Sequence, residues 1–182
     1  MSEAKVWYSY KCRAENFLDI AEFYIKINEL RKNWQQKPSL NSIQFLPNAD
    51  LSKNTFRPGR CKEQLLNLAH CDKYVSEFIE GRFSAQQTRR MGLPWSQALV
   101  RRSCISPAGT LLAAHLALRH GVACHLAGGT HHAHRDFASG FCIFNDLAIT
   151  ALALLHYTPV QRILIFDVDV HQGDGTARIL EH

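Results

Sequence analysis

The chain has no cysteine pair at CxxC spacing, no run of roughly 18 apolar residues, no low-complexity tract and no internal repeat. Its six cysteines, Cys12, Cys61, Cys71, Cys104, Cys124 and Cys142, are few for 182 residues. Neither a disulfide framework nor a thiolate zinc site is expected, and they read as mostly buried thiols. The opening "MSEAKVWYSYKC" lacks the unbroken apolar core of a secretory signal. With no membrane-length run either, a cytoplasmic chain without a membrane partner is predicted. The doublets Arg89-Arg90 and Arg101-Arg102 contribute to a net charge of +5, but no aromatics interleave with them. A solvated surface is the simpler reading, and specific nucleic-acid binding is not expected.

What is present is the composition of a globular domain, 46% hydrophobic and 20% charged, which argues against disorder. Ten histidines exceed ordinary usage, and three of them crowd into "HHAH" at 131–134. Such crowding calls for chemistry.

Along the chain, apolar residues from Ala14 to about Trp34 recur at helical period, followed by the connector "QQKPSLNSIQFLPNADLSKNTFRPGR". Helical patterning returns in "KEQLLNLAH", and Asp72 is placed to cap a short helix that Gly81 would close. Ser106-Pro107 reads as the start of a further helix, running through "LLAAHLAL" to Gly121. Then come a strand "VACHLA", a glycine loop, a helix from about Asn145 to His156, Pro159 and a strand "ILIFDVDV". A strand, a helix and a strand make a βαβ unit with a parallel pair, which predicts an α/β fold.

Ligands of open parallel sheets sit at the carboxyl ends of strands, and both charged clusters fall there. "GGTHHAH" follows the first strand and "DVDVHQGDG" ends the second. Alternation along a strand sets Asp167, Asp169 and His171 in one row. Two carboxylates and an imidazole in a buried row need a counter-charge, which a divalent metal would supply. The structural alternative is that these groups cap a neighbouring helix or pair with Arg135 and Arg162. His131 and His132 follow Gly128-Gly129 beside the candidate metal. A histidine there can take a proton from metal-bound water if a carboxylate fixes its tautomer, and Asp167 and Asp174 are the available orienters. Metal, water, bases and orienting acids together are the means of metal-assisted hydrolysis.

"GGTHHAHRDFASGFCIFND" followed by "ILIFDVDVHQGDGTA" resembles the zinc-dependent histone deacetylase family, in its bacterial and class IV style, where Gln172 follows the ligand histidine. Weaker similarity reaches back to about Gln64, and residues before about Pro58 show none. The resemblance implies a three-layer αβα architecture with a mainly parallel sheet, arginase/deacetylase-like and incomplete at the C-terminus. It divides the chain into residues 1–57, an N-terminal helix and connector of unclear relation to the family, and residues 58–182, the N-terminal portion of the domain. It makes Asp169 and His171 zinc ligands, pairs His131 with Asp167 and His132 with Asp174, and favours His132 as the general base. Gly140 and Phe141 would line the channel for an acyl-lysine side chain, and K+ would bind near Asp167.

The implied activity is removal of acetyl or other acyl groups from lysine or a related amine by zinc-activated water. The chain departs from the family pattern in having no match for its third zinc ligand, an aspartate, or for the tyrosine that hydrogen-bonds the oxyanion. Two alternatives therefore stand beside the enzyme. One is an inactive fragment that binds metal or a complementary chain supplying the rest of the sheet. The other is an arginase-like hydrolase with two manganese ions.

Overall fold

The computed structural model describes residues 56–121, 123–125 and 127–181. The helix expected from Ala14 to Trp34 and most of the connector lie outside them. Among the described residues, Arg57–Asp167 and the stretch from His171 onward belong to one compact unit, while Val168–Val170 belong to another. Six helices are described: α1 (Glu63–Ala69), α2 (Asp72–Ile79), α3 (Ala85–Met91), α4 (Gln97–His120), α5 (Asp146–Tyr157) and α6 (Asp174–Leu180). No described helix is long and apolar enough to cross a membrane.

The sequence places several helix ends correctly and others not. Asp72 is the first residue of α2 and not its cap. The cap is Cys71, whose backbone N–H is taken by Arg135 O at 2.9 Å, so a tertiary bond holds the extended entry to the helix. Gly81 does close α2, at φ +74, where a Cβ would lie 2.8 Å from the Trp95 ring. The Trp95 indole in turn donates to Phe78 O at 2.8 Å.

The helix expected to begin at Ser106-Pro107 begins ten residues earlier, at Gln97, and runs straight through the proline. Its start is capped by Ser96, whose hydroxyl accepts Leu99 N at 3.1 Å. Pro107 offers no N–H to the carbonyl one turn back, a break that costs about 3 kcal/mol in an exposed helix. Here the ring is buried in one continuous face with Val100, Cys104, Thr110, Ala114 and Ala117, and that face packs on α5. Burial outweighs local propensity. Ser106, freed from capping, donates to Ala127 O at 2.7 Å.

No paired strand occurs among the described residues, where an isolated antiparallel bridge joins Ser139 and Cys142. The "ILIFDVDV" segment carries no ladder among the described residues, with Ile163 and Ile165 half-buried and Leu164 and Phe166 exposed. This is the alternation of a strand covered on one face. A ladder also requires a neighbour, and none of the described residues provides one.

The core is aromatic at its centre. Phe144 meets Phe78 edge to face at 5.4 Å, Tyr74 and Phe83 close the cluster, and the Tyr74 hydroxyl donates to Ile143 O at 2.7 Å. His70, fully buried against Tyr74 and Phe144, ties this core to the loop beyond. Its Nε2 accepts the Asn145 N–H at 2.9 Å, so Nδ1 carries the proton and donates to His134 O at 2.8 Å. One neutral imidazole thereby spans α1, the histidine loop and the start of α5.

Burial pushes the His70 pKa down from 6.5 to about 4. The unfolded chain takes up this proton near pH 6.5 and the folded chain only near 4. Stability is complete above that interval and is lost as pH falls through it, by on the order of 3 kcal/mol. The urea midpoint of the wild type should therefore drop towards that of His70→Gln between pH 7.5 and 4, and a constant gap would contradict the assignment. A second check lies in α6, where a Cβ at Gly175 would run into Ala133 O and stand 2.6 Å from His131 O. Alanine normally gains about 1 kcal/mol over glycine in a helix, but this clash with backbone should cost about 1–3. Gly175→Ala is expected to lower Tm.

Candidate active site

The N-cap and the first residue of α5 build the loop that carries the histidines. Asn145 caps the helix through its side chain, which accepts Ala148 N at 3.0 Å, and its Nδ2 donates to Ala133 O and to Thr176 Oγ1, each at 3.0 Å. Asp146 is fully buried and is met by hydrogen-bond donors. Its carboxylate accepts Gly129 N at 3.0 Å, Thr130 N at 2.7 Å, Thr130 Oγ1 at 2.6 Å and the Thr110 hydroxyl. Sitting at the positive end of the α5 dipole adds to this compensation. Both ends of the 129–133 loop are therefore clamped to one helix terminus.

That loop presents His131 and His132 with ring centroids 4.1 Å apart. His131 Nδ1 lies 2.6 Å from Asp167 Oδ2, and His132 Nδ1 lies 3.0 Å from Asp174 Oδ1. An ionised carboxylate only accepts, so each Nδ1 donates and each Nε2 keeps a free lone pair. The two pairs differ in access. The His131 side chain is 6% exposed and that of its Asp167 29%, against 22% for His132 and 47% for Asp174, so His132 is the imidazole that solvent can reach.

Asp174 receives a second bond, from His134 Nε2 to Oδ2 at 3.1 Å. The bond from His132, then that from His134, hold its carboxyl down at about 2 against the opposing effect of desolvation. It stays ionised across the neutral range.

Gly140 and Phe141 form the rim. Gly140 is at φ +53, and a Cβ there would come 2.7 Å from the His132 ring, so the imidazole rests on bare backbone. Phe141 is 66% exposed and adopts φ +63, a left-handed conformation that costs a bulky residue about 1–3 kcal/mol. The 139–142 turn and a bond from its N–H to Met91 O at 3.2 Å hold it there. Its ring covers Gly92, leaving no room for a Cβ.

His171 is exposed, with its ring centroid 5.9 Å from that of His132 and nearly perpendicular to it. Asp169 belongs to the second unit and is half-buried. A carboxylate oxygen and an imidazole nitrogen are donors that zinc accepts. The donor chemistry fits the metal, although among the described residues no three His, Cys, Asp or Glu side chains converge to hold one.

Sequence reasoning gave no site role to His134, His70, Thr130 or Asp146, and placed Asn145 only as the start of a helix. The crowding in "HHAH" flagged His134 without supplying a partner. The "ND" pair directly after an apolar run was the available sign of a cap turned inward.

Residues 28–182 match the histone deacetylase domain family, a match that begins inside the segment set apart as 1–57. An uncharacterised protein of Picosynechococcus is 46% identical over 129 residues, covering 71% of this chain and 43% of that one. The acetoin utilization protein AcuC of Staphylococcus aureus is 37% identical over 148 residues, covering 74% and 38%. Histone deacetylase clr6 of Schizosaccharomyces pombe is 37% identical over 135 residues, covering 67% and 32%. A crystal structure of a histone deacetylase homologue from Aquifex aeolicus superposes with a TM-score of 0.62 at 28% identity, covering 70% of this chain and 37% of that one. The chain thus spans less than half the length of these relatives. By the extent of its family match, it belongs to the histone deacetylase domain family.

Proposed function

We propose that this chain carries the proton-handling part of a zinc-dependent deacetylase-like amidohydrolase, acting on acetyl-lysine or a related acylated amine. The observation that carries the reading is the double pair, two adjacent imidazoles each bonded through Nδ1 to its own carboxylate. Family membership separates it from the arginase-like alternative.

Asp169 and His171 would hold zinc with a further donor from outside the described residues. When bound, zinc polarises an amide carbonyl and lowers the pKa of water to about 7. His132, the more open imidazole, takes the water proton on Nε2 while Asp174 stabilises the charge formed at Nδ1. His131, itself buried and bonded to Asp167 at 2.6 Å, holds its proton in place and orients the amide. K+ beside Asp167 would balance a carboxylate that already accepts one bond. The exposed Phe141 and the side-chain-free Gly140 suit the wall of a narrow channel for an alkyl chain.

The reading extends to the fold. The unladdered segment ending at Asp167 would be one strand of a mainly parallel sheet in a three-layer αβα domain. Residues 58–182 would carry the site, and 1–57 would stand apart from it. Exposed Leu164 and Phe166, at 76% and 51%, mark where a complementary chain or further strands would pack.

Incubated with zinc and an acetyl-lysine peptide, alone or with a polypeptide supplying the remaining strands, the chain should release acetate. His132→Ala should slow this by about 100-fold or more. In metal titrations, one zinc per chain should bind, and Asp169→Asn should weaken it by about tenfold or more. Two manganese ions per chain would overturn the deacetylase reading.

A further inference from the structure

We propose that His134 is a positioning residue for His132, acting through Asp174. The inference rests on the reading of His132 as the proton acceptor. Asp174 is held at both oxygens by different imidazoles, Oδ1 by His132 at 3.0 Å and Oδ2 by His134 at 3.1 Å. Its side chain is 47% exposed and stands on the first residue of a seven-residue helix, so packing alone does little to restrain it. A carboxylate bonded at one oxygen can rotate about its Cβ–Cγ bond and exchange that bond for water. Bonded at both, it presents a fixed plane to His132 Nδ1.

His134 is itself braced. Its ring stacks on Phe137 at 4.1 Å and 19°, and the Arg90 guanidinium lies 3.4 Å from the centroid of that same ring. Two groups so close to one centroid must occupy opposite faces. Phe137 is therefore clamped between α3 and the loop, with a cation–π contact on one side. The backbone closes the same turn, His134 N donating to Phe137 O at 3.0 Å and His134 O accepting from buried His70 at 2.8 Å. The order of support runs from Arg90 through Phe137 and His134 to Asp174, and ends at His132.

His134 thereby keeps His132 in a single tautomer, with the proton on Nδ1 and Nε2 open. Imidazole nitrogen–proton NMR of the metal-free full chain reads this directly, without turnover. The wild type should show one His132 tautomer. His134→Leu should give a mixture with Nε2–H appearing, while His134→Gln, which restores a donor to Asp174, should return the single form. Phe137→Leu should give an intermediate mixture and decides the matter if His134→Leu does not fold. A single unaltered His132 tautomer in a folded His134→Leu or Phe137→Leu chain overturns the proposal.

In protein that turns over, His134→Leu should lower kcat by about 10–100-fold with KM unchanged. The two readings can fail separately. A tautomer shift in a chain with no deacetylase activity sustains the positioning role alone. Activity lost in His132→Ala, with no tautomer shift in His134→Leu, leaves the enzyme reading intact and removes this one.

Discussion

The site depends on a buried helix terminus. The first turn of α5 leaves backbone donors unpaired, and the residues there turn that deficit outward: Asn145 caps the helix with its carbonyl and uses its amide on the next loop. Asp146 goes further, burying a full charge that four donors from three residues compensate. A buried carboxylate with fewer partners would be costly enough to unfold the region. The loop geometry that brings His131 and His132 side by side is therefore set by what Asp146 must have in order to be buried at all.

Two chemically identical pairs acquire different characters through burial. His131 is enclosed while its Asp167 keeps 29% of its side chain exposed, and His132 and Asp174, at 22% and 47%, are each more open than their counterparts. Glycines at the close approaches make this possible. Gly175 lets α6 lie against the carbonyls of the histidine loop, and Gly140 lets the His132 ring lie on backbone. The openness that gives His132 access also deprives Asp174 of packing, and a second imidazole offsets that loss.

Local strain at the rim has a matching support. Phe141 holds a left-handed backbone and an exposed ring together, two unfavourable features that persist because the end of α3 supplies both a carbonyl at Met91 and bare backbone at Gly92. The same helix end carries Arg90 over Phe137. One short capped helix thus steadies both the rim and the histidine turn.

Local chemistry written in the chain was readable directly. The helix from Asn145, the stop at Gly81, and the spacing that sets "HHAH" apart from "DVDVHQGDG" follow from caps, glycine conformations and residue types, which act over a few positions. The family likeness rested on those same strings. Positions decided by distant partners were not readable: Cys71 displaced Asp72 as a cap through the bond its N–H donates to Arg135 O, and α4 passed through Pro107 because a long buried face rewarded it. The strand character of 163–166 is visible as alternation, yet a ladder belongs to two segments and cannot be read from one. By itself the sequence determined which donors and acids the chain possesses. Residue types and spacing could not say which imidazole each carboxylate holds, a pairing that the family resemblance alone implied; the tertiary structure decides it, because hydrogen-bond pairing across 36 to 42 residues is set by how helices and loops pack.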